Sequence, residues 1–139
     1  MDRKFKVLKI NHVAVAVNDN NKAFKLFNLL GMDCGSSQFI EKEKVNVVKV
    51  RTEDKQHTIE LLEASDSSSI IKKFIDKKGQ GLHHIALEVD DINEAIHFLI
   101  DNDINLIYKT PQKGADNKLI TFVHPKSTPG ILLELCQSE

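Results

Sequence analysis

Two histidines and two glutamates have the types and the matched spacing of a metal site: His12 with Glu60, and His84 with Glu134. Imidazole nitrogen and carboxylate oxygen together suit a borderline first-row divalent ion (Co, Ni, Zn, Mn or Fe) better than calcium or a thiolate-loving metal. Two carboxylates neutralise such an ion, and an octahedral one keeps two positions open for substrate. Each glutamate lies in an apolar run, Ile59-Glu60-Leu61-Leu62 and Leu132-Leu133-Glu134-Leu135. An ionised carboxylate there is costly unless it is paired or ligates a metal. Taken singly, each residue has a plainer reading. A histidine on a strand is often a core residue, and a glutamate is usually solvated. The wide separation of each histidine from its glutamate is not a local motif of the HExxH kind.

What lifts the four above coincidence is a repeat. Asn11-His12-Val13-Ala14-Val15-Ala16-Val17 matches His83-His84-Ile85-Ala86-Leu87-Glu88-Val89, and the match runs on through Asp19/Asp91, Asn21/Asn93 and Ala23/Ala95. At nearly the same offset Glu60-Leu61-Leu62 matches Glu134-Leu135-Cys136. Two blocks in one register argue for a duplicated module.

Each copy has the elements needed to position its pair. Val13, Val15 and Val17, then Ile85, Leu87 and Val89, alternate as strands do, which turns His12, Ala14 and Ala16, and His84, Ala86 and Glu88, to the opposite face. Small residues around one imidazole suggest that this face lines a cavity. A helix follows in each copy. Asn18-Asp19 caps the first, Ala23, Phe24, Phe27 and Leu30 form its apolar face, and Gly31 ends it. Asp91 caps the second with Glu94 three residues on, and Ile92, Ala95, Ile96 and Leu99 form the buried stripe. Strands follow over Val45 to Val50 and Thr58 to Leu62, then over Leu119 to Val123 and Ile131 to Cys136, with Leu106 to Tyr108 as the start of another. The expectation is α+β: two tandem βαβββ modules in one domain, at about 8–64 and 81–137. A linking helix at about 67–78 has Ile70, Ile71, Phe74 and Ile75 on one face. Of the other histidines, His83 alternates to the helix-facing side, His57 lies at a hairpin edge and His97 in a helix. His124, before Pro125, stays open as a lining residue.

Composition narrows the function classes. Lys and Arg total 19 against 20 Asp and Glu, a net charge of -1, so nothing favours a phosphate backbone and nucleic acid is not an expected partner. No apolar run reaches the ~18 residues of a membrane span, and the first residues do not read as a signal sequence. Cys34 and Cys136 read as free thiols of a reducing compartment, so the expected location is cytoplasmic.

With these residues in view, the chain from Ile10 to Gln137 resembles the vicinal-oxygen-chelate superfamily and, within it, the methylmalonyl-CoA epimerase family. The landmarks are Ile10 to Val17, Ile59 to Ala64, Gly81-Leu82-His83-His84-Ile85-Ala86 and the residues on to Ile92, Phe122-Val123-His124-Pro125-Lys126-Ser127, and Gly130 to Leu135. The resemblance implies a curved mixed sheet around a metal-binding cavity, with His12, Glu60, His84 and Glu134 as ligands. It also implies an acyl-CoA substrate whose thioester and carboxylate oxygens chelate the ion, with epimerisation through an enolate, and a homodimer. Glu134 is then an acid/base group. Lys126, Ser127 and Lys118 are candidates for the CoA moiety. One departure stands out. Members of the family place a carboxylate on the second strand of the first module, whereas this chain reads Lys44-Val45-Asn46-Val47-Val48-Lys49-Val50. The family also has glutamine at the position of Glu60, so Glu60 is a candidate for the compensating base. The nearest competitor is lactoylglutathione lyase, which resembles this chain in its ligand set but carries an Asp-Pro-Asp-Gly turn where His124-Pro125-Lys126-Ser127 stands here. A non-catalytic binding or resistance module of the same fold needs no ligands on these strands. A ring-cleaving dioxygenase holds its iron with two His and one Glu.

Overall fold

The computed structural model describes residues 2–139. In chain order the elements are β1 (Val7–Ala16), α1 (Asn20–Leu29), β2 (Asp33–Ile40), β3 (Val45–Arg51) and β4 (Thr58–Ala64), then α2 (Ile70–Lys78). They continue with β5 (Gly81–Val89), α3 (Ile92–Asp101), β6 (Gln112–Lys113), β7 (Leu119–Val123) and β8 (Leu132–Gln137). Strand, helix and three strands therefore occur twice, as the repeat requires. The chain forms two compact units, one of His12–His83 and one of the residues through Asn11 with His84–Glu139.

In the His12–His83 unit the strand order is β2-β3-β4-β1. β1 and β4 are parallel, β3 and β4 antiparallel, and β2 and β3 antiparallel. One face is closed by α1. Asp19 caps that helix by accepting from the backbone N–H groups of Asn21 and Lys22 at 2.8 and 3.3 Å. Ala23, Phe24 and Phe27 pack on Val15, Val17, Val48, Val50 and Leu61. Leu30, expected on that stripe, is 67% exposed because the helix stops at Leu29 and Leu30 is its C-cap. Gly31 then takes a left-handed φ of 81°.

The opposite face departs from expectation. Ala14 and Ala16 do not line an open cavity. They are fully buried with Val45, Val47 and Leu62 under Ile71, Phe74 and Ile75 of α2. Small side chains at 14 and 16 let a second helix lie close to the sheet. Ile70, placed on the same helical face by spacing, is 45% exposed. Ser69 caps α2 and ties it to the segment before β3: its hydroxyl accepts from the Ile71 N–H at 3.2 Å and donates to the Glu43 carbonyl at 3.2 Å.

β2 carries no apolar alternation and was invisible to periodicity. Its sequence Asp33-Cys34-Gly35-Ser36-Ser37-Gln38-Phe39-Ile40 forms an exposed edge strand, with a register shift between Cys34 and Ser37.

The second unit has the order β5-β8-β7-β6, with β5 and β8 parallel. Asp91 caps α3 by accepting from the Glu94 N–H at 3.1 Å. Ile92, Ala95 and Ile96 pack on Val89, Leu106, Val123 and Leu135, with Leu99 at the margin. The strand expected at Leu106 is only an isolated bridge from Leu106 to Val123, and β6 forms later, at Gln112–Lys113. Neither Cys34 nor Cys136 forms a disulfide. No helix among the described residues is long and apolar enough to cross a membrane.

Ser69→Ala removes a helix cap and the hydroxyl's bond to the half-buried Glu43 carbonyl. Its expected cost is about 1–2 kcal/mol, read as a lower urea midpoint at unchanged slope.

Candidate metal centre

The parallel ladders place each glutamate. In the first unit Ala14 of β1 stands opposite Glu60 of β4, and in the second Ala86 of β5 stands opposite Glu134 of β8. The register is the same in both, so each glutamate projects from the face that carries the histidine two residues before the alanine. Ile59 and Leu61 turn to α1, and Leu133 and Leu135 to α3, which leaves Glu60 and Glu134 on the other side. The alanines leave room beside the carboxylates.

The resulting pairs are close and buried. His12 Nδ1 lies 3.4 Å from Glu60 Oε2, and His84 Nε2 lies 3.1 Å from Glu134 Oε1. All four residues are only 5–6% exposed. The His84 ring stands edge-on to Phe122, with centroids 5.6 Å apart, and Phe122 is the cross-strand neighbour of Glu134. The two pairs differ in one respect: His12 meets its carboxylate through Nδ1 and His84 through Nε2.

These donors fit a divalent ion. Nitrogen and oxygen ligands at about 2.1 Å from a metal and at right angles to one another lie about 3.0 Å apart. The 3.1 Å of the His84–Glu134 pair matches that edge, and the 3.4 Å of His12–Glu60 is slightly longer. His12, His84 and Glu134 are all buried and all of metal-ligating type. A buried carboxylate is costly unless it is paired, and an imidazole or an ion can supply the partner.

The other predicted residues are placed differently. Lys118 Nζ donates to Asn11 Oδ1 at 3.0 Å, Asn11 Nδ2 donates to Glu88 Oε1 at 2.8 Å, and the Ser138 hydroxyl donates to the same oxygen at 3.1 Å. Lys118 is thus anchored to β1 at the residue before His12. Lys126 is exposed on the short 3-10 turn Pro125–Ser127, and its backbone N–H donates to His124 Nδ1 at 3.1 Å. The Ser127 hydroxyl accepts from the Asn105 N–H at 3.2 Å. His124 caps that turn. His57 and His97 are exposed, and His83 packs edge-on against Phe74 of α2 at 4.9 Å. Burial and the Asp33 carboxylate raise the Cys34 thiol above its usual pKa, which keeps it protonated at neutral pH.

Sequence reasoning missed two residues near the pairs. Asn11 lay within the repeat block but had no visible role. Lys49 stands directly across from Glu60 on the antiparallel β3–β4 ladder, a neighbour that only the strand register reveals.

Comparison with known proteins agrees with this geometry. Residues 11–122 match the family model of the Glyoxalase/Bleomycin resistance protein/Dioxygenase superfamily. The chain belongs to that superfamily. The mitochondrial methylmalonyl-CoA epimerase of Dictyostelium discoideum is 37% identical over 134 residues, 95% of this chain and 80% of that one. The crystal structure of methylmalonyl-CoA epimerase from Mycobacterium tuberculosis superposes with a TM-score of 0.92 at 29% identity, covering 100% of this chain and 93% of that one. A methylmalonyl-CoA epimerase structure in complex with methylmalonyl-CoA and NH4+ superposes at 0.88 with 27% identity, over 96% of both chains. The glyoxalase-like fold of paired βαβββ modules is therefore established, and within the superfamily the chain resembles isomerases.

The buried pairs carry a stability signature. In metal-stripped protein His84→Leu leaves the Glu134 carboxylate buried without its imidazole and is expected to cost about 2–4 kcal/mol. Glu134→Gln removes the buried charge instead and should change stability by no more than about 1 kcal/mol. Urea unfolding of the two variants beside the parent protein checks the difference.

Proposed function

We propose that His12, Glu60, His84 and Glu134 hold one divalent first-row ion and that the protein epimerises methylmalonyl-CoA at its α-carbon. The observation that carries this reading is the repeated register, Ala14 opposite Glu60 and Ala86 opposite Glu134, with a buried imidazole 3.4 or 3.1 Å from each carboxylate. A duplicated frame that twice buries a His–Glu pair among apolar strands is arranged to ligate. Membership of the superfamily and similarity to methylmalonyl-CoA epimerases support the substrate.

When bound, the ion supplies Lewis-acid stabilisation of the negative charge that develops as the α-proton leaves, worth several kcal/mol. The chain's own residues supply the proton transfers. Epimerisation needs a group that removes the proton and a group that returns one on the other face. Glu134 takes the first role, accepting the α-proton on its carboxylate. Glu60, the other buried carboxyl group on a histidine-bearing face, takes the second: as the neutral acid, loosened from the ion, it gives its proton to the other face, and proton exchange then restores the starting state of both groups. Apolar strand residues around both keep water from the carbanion centre. Lys126, Ser127 and Lys118 are assigned to the CoA moiety. Lys126 is the most available of them, because Lys118 must release Asn11 to reach a phosphate. The free thiols of Cys34 and Cys136 fit a reducing, cytoplasmic setting. The exposed Val7, Leu8 and Ile10 of β1 are the contact assigned to a homodimer.

The test is proton NMR in D₂O with cobalt-loaded protein and methylmalonyl-CoA. The α-hydrogen signal should disappear at a catalytic rate. His84→Ala should bind cobalt at least about a hundredfold more weakly and lose the exchange while keeping its circular dichroism. An unchanged α-hydrogen signal, with turnover of the methylglyoxal–glutathione hemithioacetal, would reassign the protein as a lyase.

A further inference from the structure

We infer that Leu132 and Phe122 form the wall that receives the α-alkyl group of the substrate and set how large that group can be. The inference rests on the epimerase reading above and concerns the second unit alone. On the β5–β8 ladder Leu132 is the direct partner of His84, and on the β7–β8 ladder Phe122 is the direct partner of Glu134. Strands in a sheet lie about 4.8 Å apart, so each apolar side chain is the lateral neighbour of one member of the pair. Packing agrees: Leu133 and Leu135 turn to α3, while Leu132 packs with Ala86, Ile120, Phe122 and Cys136. The Phe122 ring also stands edge-on to His84.

This apolar face is left open where its counterpart is closed. In the first unit α2 lies over Ala14, Ala16 and Leu62. Among the described residues, no helical side chain joins the cluster of the second unit, and Tyr108, from the segment before β6, packs against it. Phe122 is 5% exposed, whereas Leu132, at the end of the row beside His84, is only half-buried. Duplication supplies the control. The offset that sets Leu132 beside His84 falls on Thr58 in the first unit, the residue before Ile59, which pairs with Val13. The place of Phe122 is taken there by Lys49, opposite Glu60. The frame accepts polar residues at both positions, so hydrocarbon in the second unit is not a demand of the register.

The α-carbon of an alkylmalonyl thioester carries four groups. Its hydrogen goes to Glu134 on the proposed reading, and its two carbonyl-bearing groups offer oxygens to polar partners. The alkyl group has no such partner, and hydrocarbon is the surface that favours it, by about fourfold in affinity for each carbon buried. Loss of the hydrogen leaves a planar carbanion with the alkyl group in its plane. A proton can return to either face while the alkyl group keeps its place, so one wall serves both epimers. Leu132 and Phe122 are specificity residues in this account and move no proton.

The experiment compares malonyl-CoA, methylmalonyl-CoA and ethylmalonyl-CoA, whose α-substituents are hydrogen, methyl and ethyl. Dissociation constants come from isothermal titration, and kcat/KM from α-hydrogen exchange in D₂O by cobalt-loaded protein. Leu132→Ala should weaken methylmalonyl-CoA about fourfold more than malonyl-CoA. It should also raise the ethylmalonyl-to-methylmalonyl ratio of kcat/KM about fivefold or more, because the vacated volume takes one further carbon. Leu132→Val, a milder truncation, should move both ratios the same way, and Leu132→Met should return them to the parent values. Equal changes for all three thioesters, or ratios that stay at the parent values in Leu132→Ala and Leu132→Val, overturn the inference while the parent's own exchange leaves the epimerase reading standing. A parent protein that exchanges none of the three α-hydrogens fails the epimerase reading and takes the wall's assignment with it.

Discussion

The structure is organised by the cost of burying a carboxylate in a sheet. Glu60 and Glu134 are 5% and 6% exposed on strands whose other residues are largely apolar. Desolvating such a group costs several kcal/mol, so the chain must bring it a partner with good geometry. Each glutamate receives an imidazole from a strand that is parallel to its own. Parallel neighbours cannot be joined by a tight turn, and the connection must cross over. The order strand–helix–strand–strand–strand is one solution: it carries the chain away from the histidine and returns it alongside with the glutamate in register. The βαβββ module can therefore be read as the device that pairs these two residues. The alanine opposite each glutamate is the local adjustment that leaves space for the carboxylate.

Much of this was legible in the residues because the signals were local or repeated. Asp19 and Asp91 announced their helices and do cap them. The stripe Ile92, Ala95, Ile96 is buried as its spacing requires. The His–Glu pairing is a long-range contact, and a single copy would have concealed it. A nearly constant offset between two copies exposed it. What stayed hidden depended on partners outside the local pattern. β2 pairs along an edge with little apolar content, so it had no period to detect. Ala14 and Ala16 read equally well as a cavity wall or as a seat for a helix, and only the packing of α2 separates the two. Lys49 meets Glu60 because a hairpin of a particular length brings β4 back on β3, and no propensity scale encodes that register.

The Asn11–Glu88–Lys118 network shows how a residue's chemistry can be absorbed by structure. Lys118 follows a loop with left-handed backbone at Asp116 and Asn117, a context that invites a mobile substrate-binding role. Its ammonium is instead tied to Asn11, and through Asn11 to the Glu88 carboxylate, which Ser138 also contacts. The loop is further closed by backbone bonds from Gly114 to Lys118 and from Lys118 to Ala115. This arrangement fixes the strand immediately before His12. A half-buried lysine–amide–carboxylate chain has more positional value there than a solvated cation would, because its hydrogen bonds hold that end of β1 in place.

Duplication supplies the frame and leaves the backbone positions of the two His–Glu pairs equivalent. The two units break their symmetry at side chains and keep their backbone register. Glu134 stands across from Phe122, whose ring lies edge-on to His84, so its surroundings are aromatic. Glu60 stands across from Lys49, so its surroundings include a positive charge. The histidines differ too, one meeting its carboxylate through Nδ1 and the other through Nε2. Identical backbone positions have in this way been given different electrostatic settings.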